Sequence, residues 1–376
     1  MIFIVFFTNA QLPKNIKFTN YTRANGLPEE RVNDITQDSR GFLWMGTVEG
    51  LHRFDGQHYK SWYANPNDSA TFSNNNILII GEYRPGFILF SSANKLWELN
   101  ITNHQLKIVE QFKNTQIVST PVQLNETQWF FATYDSLFII SKNFKTEYAI
   151  ALKNYYPNLS QVYLIKLNYP YAILQSPNAN KFYLFNYVNK KITPISFDNT
   201  QAKKTNAFYI NNYDSINNKL ILHAYFDGAF YCELKIPEQT FYKPILILDI
   251  NNGAIQKSIL LPNSQLMFAS ANGLYISDYS KSILYKQNKI NDNSLVNDAI
   301  TNIYKSRNND YWLSTNKGVS KFSLAQSTIQ YWSNELKMPI EDDFKSIVKG
   351  NDGNLYFLNR ELGLSQFNPT TKQIKK

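Results

Sequence analysis

The chain has 376 residues, of which 43% are hydrophobic and 18% charged, enough apolar material for one large or two medium packed domains and too much for a disordered segment. Its formal net charge of +9 comes from 38 Lys and Arg that stand mostly singly, with no run longer than Lys203-Lys204 or Lys375-Lys376. The clustered basic footprint of a nucleic-acid binder is therefore missing. The single cysteine, Cys232, excludes an internal disulfide framework and a cysteine metal cluster, and its apolar run Phe230-Tyr-Cys-Glu-Leu234 makes it a buried, inert thiol.

Aromatic residues reach 15%, with 25 Tyr and 26 Phe, and Asn is frequent between the apolar runs. That balance favours strands and turns and predicts an all-β chain. Met1 to Phe7 is almost continuously apolar and leads into Thr8-Asn-Ala10, which reads residues 1–10 as a partial secretory signal peptide, although a charged start is missing. The alternative is a first strand of the fold. No other stretch approaches the roughly 18 apolar residues of a membrane span.

From Asn15 to Tyr21 the alternation of Ile16, Phe18 and Tyr21 predicts a strand, closed by the turn Asn25-Gly-Leu-Pro28. A first full unit follows. Arg31 to Gln37, Phe42 to Gly46, Leu51 to Phe54 and His58 to Tyr63 read as four strands, separated by the turns Asp38-Ser-Arg-Gly41, Val48-Glu-Gly50 and Asp55-Gly56. Four short strands in about 45 residues is the size of one propeller blade.

Copies of this unit recur to the C-terminus. With Trp44 as the marker, the equivalent positions are Leu89, Phe130, Leu174, Leu222, Met267, Trp312 and Tyr356, at steps of 45, 41, 44, 48, 45, 45 and 44 residues. In a radial stack each sheet packs on two neighbours, so its inner strands need bulky apolar side chains on both faces. The small residues that follow the marker and the glycines at Gly50, Gly228, Gly273 and Gly318 suit a crowded strand end and a turn with positive φ. The predicted fold class is an all-β β-propeller of four-stranded antiparallel blades, with eight units detected.

The first unit carries more than a generic blade pattern. Gly26-Leu-Pro28, Val32-Asn-Asp-Ile35, Gln37-Asp-Ser-Arg-Gly-Phe-Leu-Trp-Met-Gly-Thr47 and Glu49-Gly-Leu-His-Arg-Phe-Asp-Gly56 together resemble the opening repeat of the two-component-regulator propeller family, the periplasmic sensor region of hybrid two-component systems common in Bacteroidetes. Unit seven, Asp310 to Phe322, matches well; units two to six match in period only. The resemblance implies a seven-bladed propeller over residues 11–338, with residues 339–376 as the first blade of a second propeller. Spacing alone equally allows an eighth blade of the same ring. The strand at Asn15 to Tyr21 is expected to clasp the last blade in either case, because a ring leaves no sheet edge open. The kinase or DNA-binding output of the family is absent from this sequence.

Four dispersed histidines, His52, His58, His104 and His223, give no metal-ligand spacing, and His223 reads as a core residue. No nucleophile elbow, paired-carboxylate signature or phosphate loop stands out, so no catalytic residue, metal or cofactor is expected. In a four-stranded blade the turns between strands two and three share one face with the connections between blades. The repeat alignment puts Glu49, Asn94, Asp135, Asp227, Asn272, Asn316, Lys317, Arg360 and Glu361 in these turns, with Tyr134, Tyr225 and Phe226 beside them. Of these, Glu49, Tyr134, Asp135, Asp227, Asn272, Asn316, Lys317 and Arg360 form the candidate ligand-binding set, and the connection from Ala64 to Asn76 is a candidate lid. Polar groups beside aromatic faces suit a carbohydrate.

The expected function is a non-catalytic, periplasmic ligand-sensing propeller that binds a small molecule or oligosaccharide and signals to a second propeller or dimer mate. The alternatives are a secreted propeller enzyme acting on glycans and a protein-interaction scaffold.

Overall fold

Every repeat unit read from the sequence folds as an antiparallel sheet, and every marker residue lies in the second strand of its sheet. The computed structural model describes residues 12–13, 15–65, 67–68, 71–93, 95–112, 122–133, 136–141, 145–152, 155, 162–176, 181–198, 200, 208–224, 227–250, 254–261, 264–324, 344–359, 363–368, 371 and 373–375. The segment 1–10 lies outside them, as does the position of the expected boundary near residue 338. The chain divides into two compact units, Met1–Leu324 and Ala325–Lys376.

In the first unit the first sheet is the template: Val32–Gln37, Leu43–Thr47, Gly50–Phe54 and Tyr59–Trp62 follow one another as a meander. Its second and third strands carry bulky apolar residues buried on both faces, as the continuous run Leu43-Trp-Met45 requires. Seven such sheets occur among the described residues of this unit. Seven apolar clusters among the described residues lie between them, one for each neighbouring pair. Trp44 and Leu51 pack on Ile88, Phe90 and Trp97 of the second sheet. At the other end of the series Trp312 and Val319 of the seventh sheet pack on Val32, Ile35 and Met45 of the first. The sheets therefore meet in a circle, the β-propeller.

Among the described residues the seventh sheet has three strands from its own segment, Ile300–Lys305, Asp310–Thr315 and Gly318–Ser323. Its fourth is the N-terminal strand Thr19–Tyr21, in register Thr19↔Lys321, Asn20↔Ser320 and Tyr21↔Val319. This strand is shorter than Asn15 to Tyr21. Leu12, Ile16 and Phe18 instead plug the apolar cluster between the sixth and seventh sheets, where burial of their side chains competes with strand pairing.

Gly318, at φ +120°, is pressed by this clasp: an added Cβ would run into the Tyr21 carbonyl oxygen. Strained φ and backbone overlap together should make Gly318→Ala cost about 2 to 4 kcal/mol. Gly56, at φ +106° with nothing within 4 Å of an added Cβ beyond its chain neighbours, isolates the conformational part, and Gly56→Ala should cost about 1 kcal/mol. Urea unfolding midpoints of the two variants check this, and equal losses would show that the clasp does not press on Gly318.

One strand departs from the meander. Phe241–Tyr242, within the fifth repeat, pairs in parallel with the outer strand Lys191–Phe197 of the fourth sheet and covers its edge. The second unit, taken alone, is a four-stranded sheet of Phe344–Lys349, Leu355–Asn359, Gly363–Asn368 and Gln373–Lys375, with Phe357 and Phe367 buried.

Candidate functional site

The turns between strands two and three are built by a device the repeat alignment did not single out. In the first sheet the buried Thr47 Oγ1 accepts from the Glu49 N–H at 3.1 Å and donates to the Gly50 carbonyl at 3.0 Å. Ser270 does the same for Asn272 N–H and the Gly273 carbonyl at 3.0 and 2.8 Å, and Thr315 for Lys317 N–H and the Gly318 carbonyl at 3.1 and 2.8 Å. The recurring signal is a hydroxyl three residues before the turn glycine: Thr47-Val-Glu-Gly50, Ser270-Ala-Asn-Gly273 and Thr315-Asn-Lys-Gly318. The hydroxyl satisfies the turn's own backbone, so the two central side chains need not serve it.

Those central side chains are the candidate residues. Glu49, Asn316 and Lys317 are exposed, while Asp227 and Asn272 are half-buried. They come from sheets one, five, six and seven, four consecutive members of the circle, each at the same end of its sheet. Asn94, Tyr134, Asp135, Tyr225, Phe226, Arg360 and Glu361 lie outside the described residues.

The connections between sheets reach the same end. The Gly318 N–H donates to the Glu30 carbonyl at 3.0 Å and the Gly50 N–H to the Asn75 carbonyl at 2.8 Å. Asn75, in the connection considered as a lid, also takes the Ala64 N–H at 2.6 Å and donates to Glu49 Oε2 at 3.4 Å, and Phe72 within that connection is fully buried. This end of the segment is thus pinned to the turn of its own sheet.

Beneath the same four sheets runs a chain of polar side chains from the first strands, which touch one another around the circle. Each of these strands has a bulge at one place: Val32/Asp34, Ile210/Asn212, Ile255/Lys257 and Ile300/Asn302. The residue after the bulge reaches the next sheet. Asn212 Nδ2 donates to the Ser258 carbonyl at 2.9 Å, Lys257 Nζ to Asn302 Oδ1 at 2.6 Å, and Asn302 Nδ2 to Asp34 Oδ1 at 2.6 Å. Asp34 Oδ2 in turn accepts the Ile80 N–H of the second sheet at 3.1 Å. Burial raises the Asp34 carboxyl and lowers the Lys257 ammonium, each partly offset by attraction to the other. The sequence signal was present in Val32-Asn-Asp-Ile35 and Ile300-Thr-Asn-Ile303, but only the register shows which residue is the bulge.

His52 supports the Glu49 turn from behind. Its Nε2 lies 3.2 Å from Thr47 Oγ1, whose proton goes to the Gly50 carbonyl, so Nε2–H donates and Nδ1 accepts from Ser61 Oγ at 2.8 Å. Burial pushes the imidazole down to about 4, with Glu29 weakly opposing. His223, buried and stacked on Tyr209 at 5.2 Å, is likewise pushed down to about 4 by burial. Burial pushes the Cys232 thiol up.

A histidine held below its unfolded value near 6.5 contributes its full stability above that pH and loses it as pH falls toward 4. Each should account for about 3 kcal/mol over that window. His52→Gln, which keeps a side chain able to bond both neighbours, should therefore flatten the pH dependence of unfolding between 6.5 and 4 by about one proton. An unchanged slope would show that His52 is already protonated near pH 6.

Among the described residues no helix is long and apolar enough to cross a membrane, and no three His, Cys, Asp or Glu side chains gather as metal ligands would.

Comparison with known proteins agrees with the resemblance read from the first unit. Residues 26–49 match the sequence model of the family described as two component regulator propeller. Histidine kinase P4 of Formosa agariphila is 44% identical over 59 residues, which is 16% of this chain and 4% of that protein. Among solved structures, the extracellular domain assigned to a hybrid two component system of B. thetaiotaomicron superposes with a TM-score of 0.66 at 18% identity, covering 94% of this chain and 46% of that domain. A second such domain from the same organism gives 0.65 at 16% identity, covering 96% and 54%. A streptogramin B lyase gives 0.62 at 12% identity, covering 84% of this chain and 99% of the lyase. The chain thus spans about half the length of the extracellular domains it resembles and a small part of the kinase. At these identities the structural likeness is one of fold.

Proposed function

We propose that this chain is a non-catalytic sensor propeller, an extracytoplasmic input region of a two-component signalling protein that binds an oligosaccharide. The observation that carries the reading is the family match at residues 26–49, in the sheet that also holds Glu49. The extracellular domains of similar fold support the location outside the cytoplasm. In this reading residues 11–338 form one seven-bladed ring closed by the N-terminal strand, and residues 339–376 are the first blade of a second ring. The circle of seven apolar clusters and the pairing of Thr19–Tyr21 with Gly318–Ser323 support that division.

The ligand face is the end of the ring carrying Glu49, Asp227, Asn272, Asn316 and Lys317, with Tyr134 and Asp135 added by repeat position; Arg360 holds the equivalent turn position in the repeat of the second unit. Exposed carboxylate, amide and ammonium groups on rigid turns offer both donors and acceptors to sugar hydroxyls. Transmission requires that the bound sugar prefer one of two arrangements of the sensor with its second propeller or dimer mate.

A thermal scan of the full chain against a panel of glycan oligomers, with chromatography of the same mixtures, tests this. One oligomer is expected to raise the melting temperature in a concentration-dependent way and to be recovered intact. Shortened or modified sugar would point to the secreted-enzyme alternative, and a flat response to every oligomer would favour a protein-binding scaffold.

A further inference from the structure

A cleft of about 680 Å³ lies between the N-terminal strand and the connection from the sixth sheet to the seventh. Thr19, Asn20 and Thr22 line one wall, residues 287–289 and 291–296 the other, and the buried Phe18 and Leu295 lie at its base. The connection is shaped by its own amides: Asn288 Oδ1 accepts the Ile290 N–H and Asn291 Oδ1 the Asn293 N–H, each at 3.0 Å. Asn20 ties the two walls together. Its Nδ2 donates to the Asp292 and Ser294 carbonyls at 3.2 and 2.9 Å, and its Oδ1 accepts from Ser320 Oγ at 2.7 Å.

The loop thus spends the oxygens of Asn288 and Asn291 and leaves their N–H₂ groups to donate elsewhere. Lys289 and Asp292 give the lining one charge of each sign. An anion would need an excess of cations here, and an apolar ligand would strand the amides without partners. A neutral polyol, whose hydroxyls each donate and accept, matches the inventory.

We propose that this cleft binds a segment of a neutral oligosaccharide, bridging the clasp strand to the connection 286–299. The inference rests on the carbohydrate-sensor reading and gives that reading a place beside the turn of Asn316 and Lys317, since Thr22 both lines the cleft and packs against Gly318. A ligand held by both walls favours the closed ring, so binding at the rim is felt by the element that completes the fold.

Hydrogen exchange read by mass spectrometry on the full chain tests it, with cello-, manno-, xylo- and laminarihexaose as neutral probes and a sulfated hexasaccharide as the charged one. At least one neutral probe should slow exchange across residues 18–22 and 286–296. The double variant Asn288→Asp, Asn291→Asp keeps the oxygens the loop uses and removes the donors, so it should bind that probe about tenfold or more weakly, a difference of about 1.4 kcal/mol. No protection by any neutral probe, protection by the sulfated one only, or unchanged binding by the double variant would overturn the proposal. A neutral probe that protects the turns at residues 47–50 and 315–318 but not 286–296 would overturn the cleft and leave the sensor reading standing. Protection of the cleft with cleavage of the sugar would keep the cleft and overturn the sensor reading.

Discussion

Trp44→Ala is expected to remove about 4 kcal/mol of stability, the largest loss of any single truncation in the first sheet. The indole is fully buried between the first and second sheets and stacks on Trp62 with centroids 5.1 Å apart. It also donates from Nε1 to Asp38 Oδ2 at 2.8 Å. Asp38, fully buried, uses Oδ1 to take the Arg40 and Phe42 N–H groups at 3.0 Å each, which shapes the turn before the Trp44 strand. The alanine variant therefore opens a cavity and strands a buried carboxylate oxygen at once. Trp44→Phe separates the two, because it fills most of the space and removes only the bond; about 2 kcal/mol should go. Chemical denaturation of both variants measures the split. If Trp44→Phe matches wild type, Asp38 does not depend on the indole.

Deletion through Tyr21 should cost still more. It removes Leu12, Ile16 and Phe18 from the cluster between the sixth and seventh sheets, at about 2 kcal/mol for each buried side chain. It also takes Tyr21 away from Trp312 and Phe54, whose ring centroids lie 5.3 and 5.5 Å from its own. Strand Gly318–Ser323 is then left as an open edge, which invites pairing with another chain. A total of about 6 kcal/mol or more is comparable with the whole stability of a typical domain. The truncated protein should elute as aggregate or lose its cooperative melt, and a synthetic peptide of residues 11–23 should restore part of it. A truncated protein that melts like wild type would mean the ring does not need its clasp.

These two sites show what the sequence exposes and what it hides. Trp44 and its equivalents are legible because blade packing demands a bulky residue at a fixed distance, and a period near 45 residues survives even where Trp becomes Leu or Met. Gln37-Asp38 could be read as a family signature but not as a bond to Trp44, since that contact joins a turn to a strand face. The clasp was legible as a need for closure, whereas its short length was not, because apolar alternation cannot tell a paired strand from a plug. The parallel strand at Phe241–Tyr242 left no periodic trace.

The turns that carry Glu49, Asp227, Asn272, Asn316 and Lys317 are legible by position because the turn glycine repeats. Thr47, Ser270 and Thr315 are not, since their hydroxyls look like ordinary strand residues until the turn closes on them. The polar chain of Asn212, Lys257, Asn302 and Asp34 was hidden for a related reason: a bulge changes which neighbour a side chain reaches without changing composition.

The sensing reading is tested most directly by isothermal titration of the full chain with the oligosaccharide that raises its melting temperature most, beside a variant carrying Glu49→Ala, Asn316→Ala and Lys317→Ala. These three side chains are exposed, so the variant should fold as wild type does. The expected result is saturable heat with wild type, affinity weakened about tenfold or more in the variant, and sugar of unchanged length in the cell afterwards. Equal affinity for both proteins, or a shortened sugar, would contradict it.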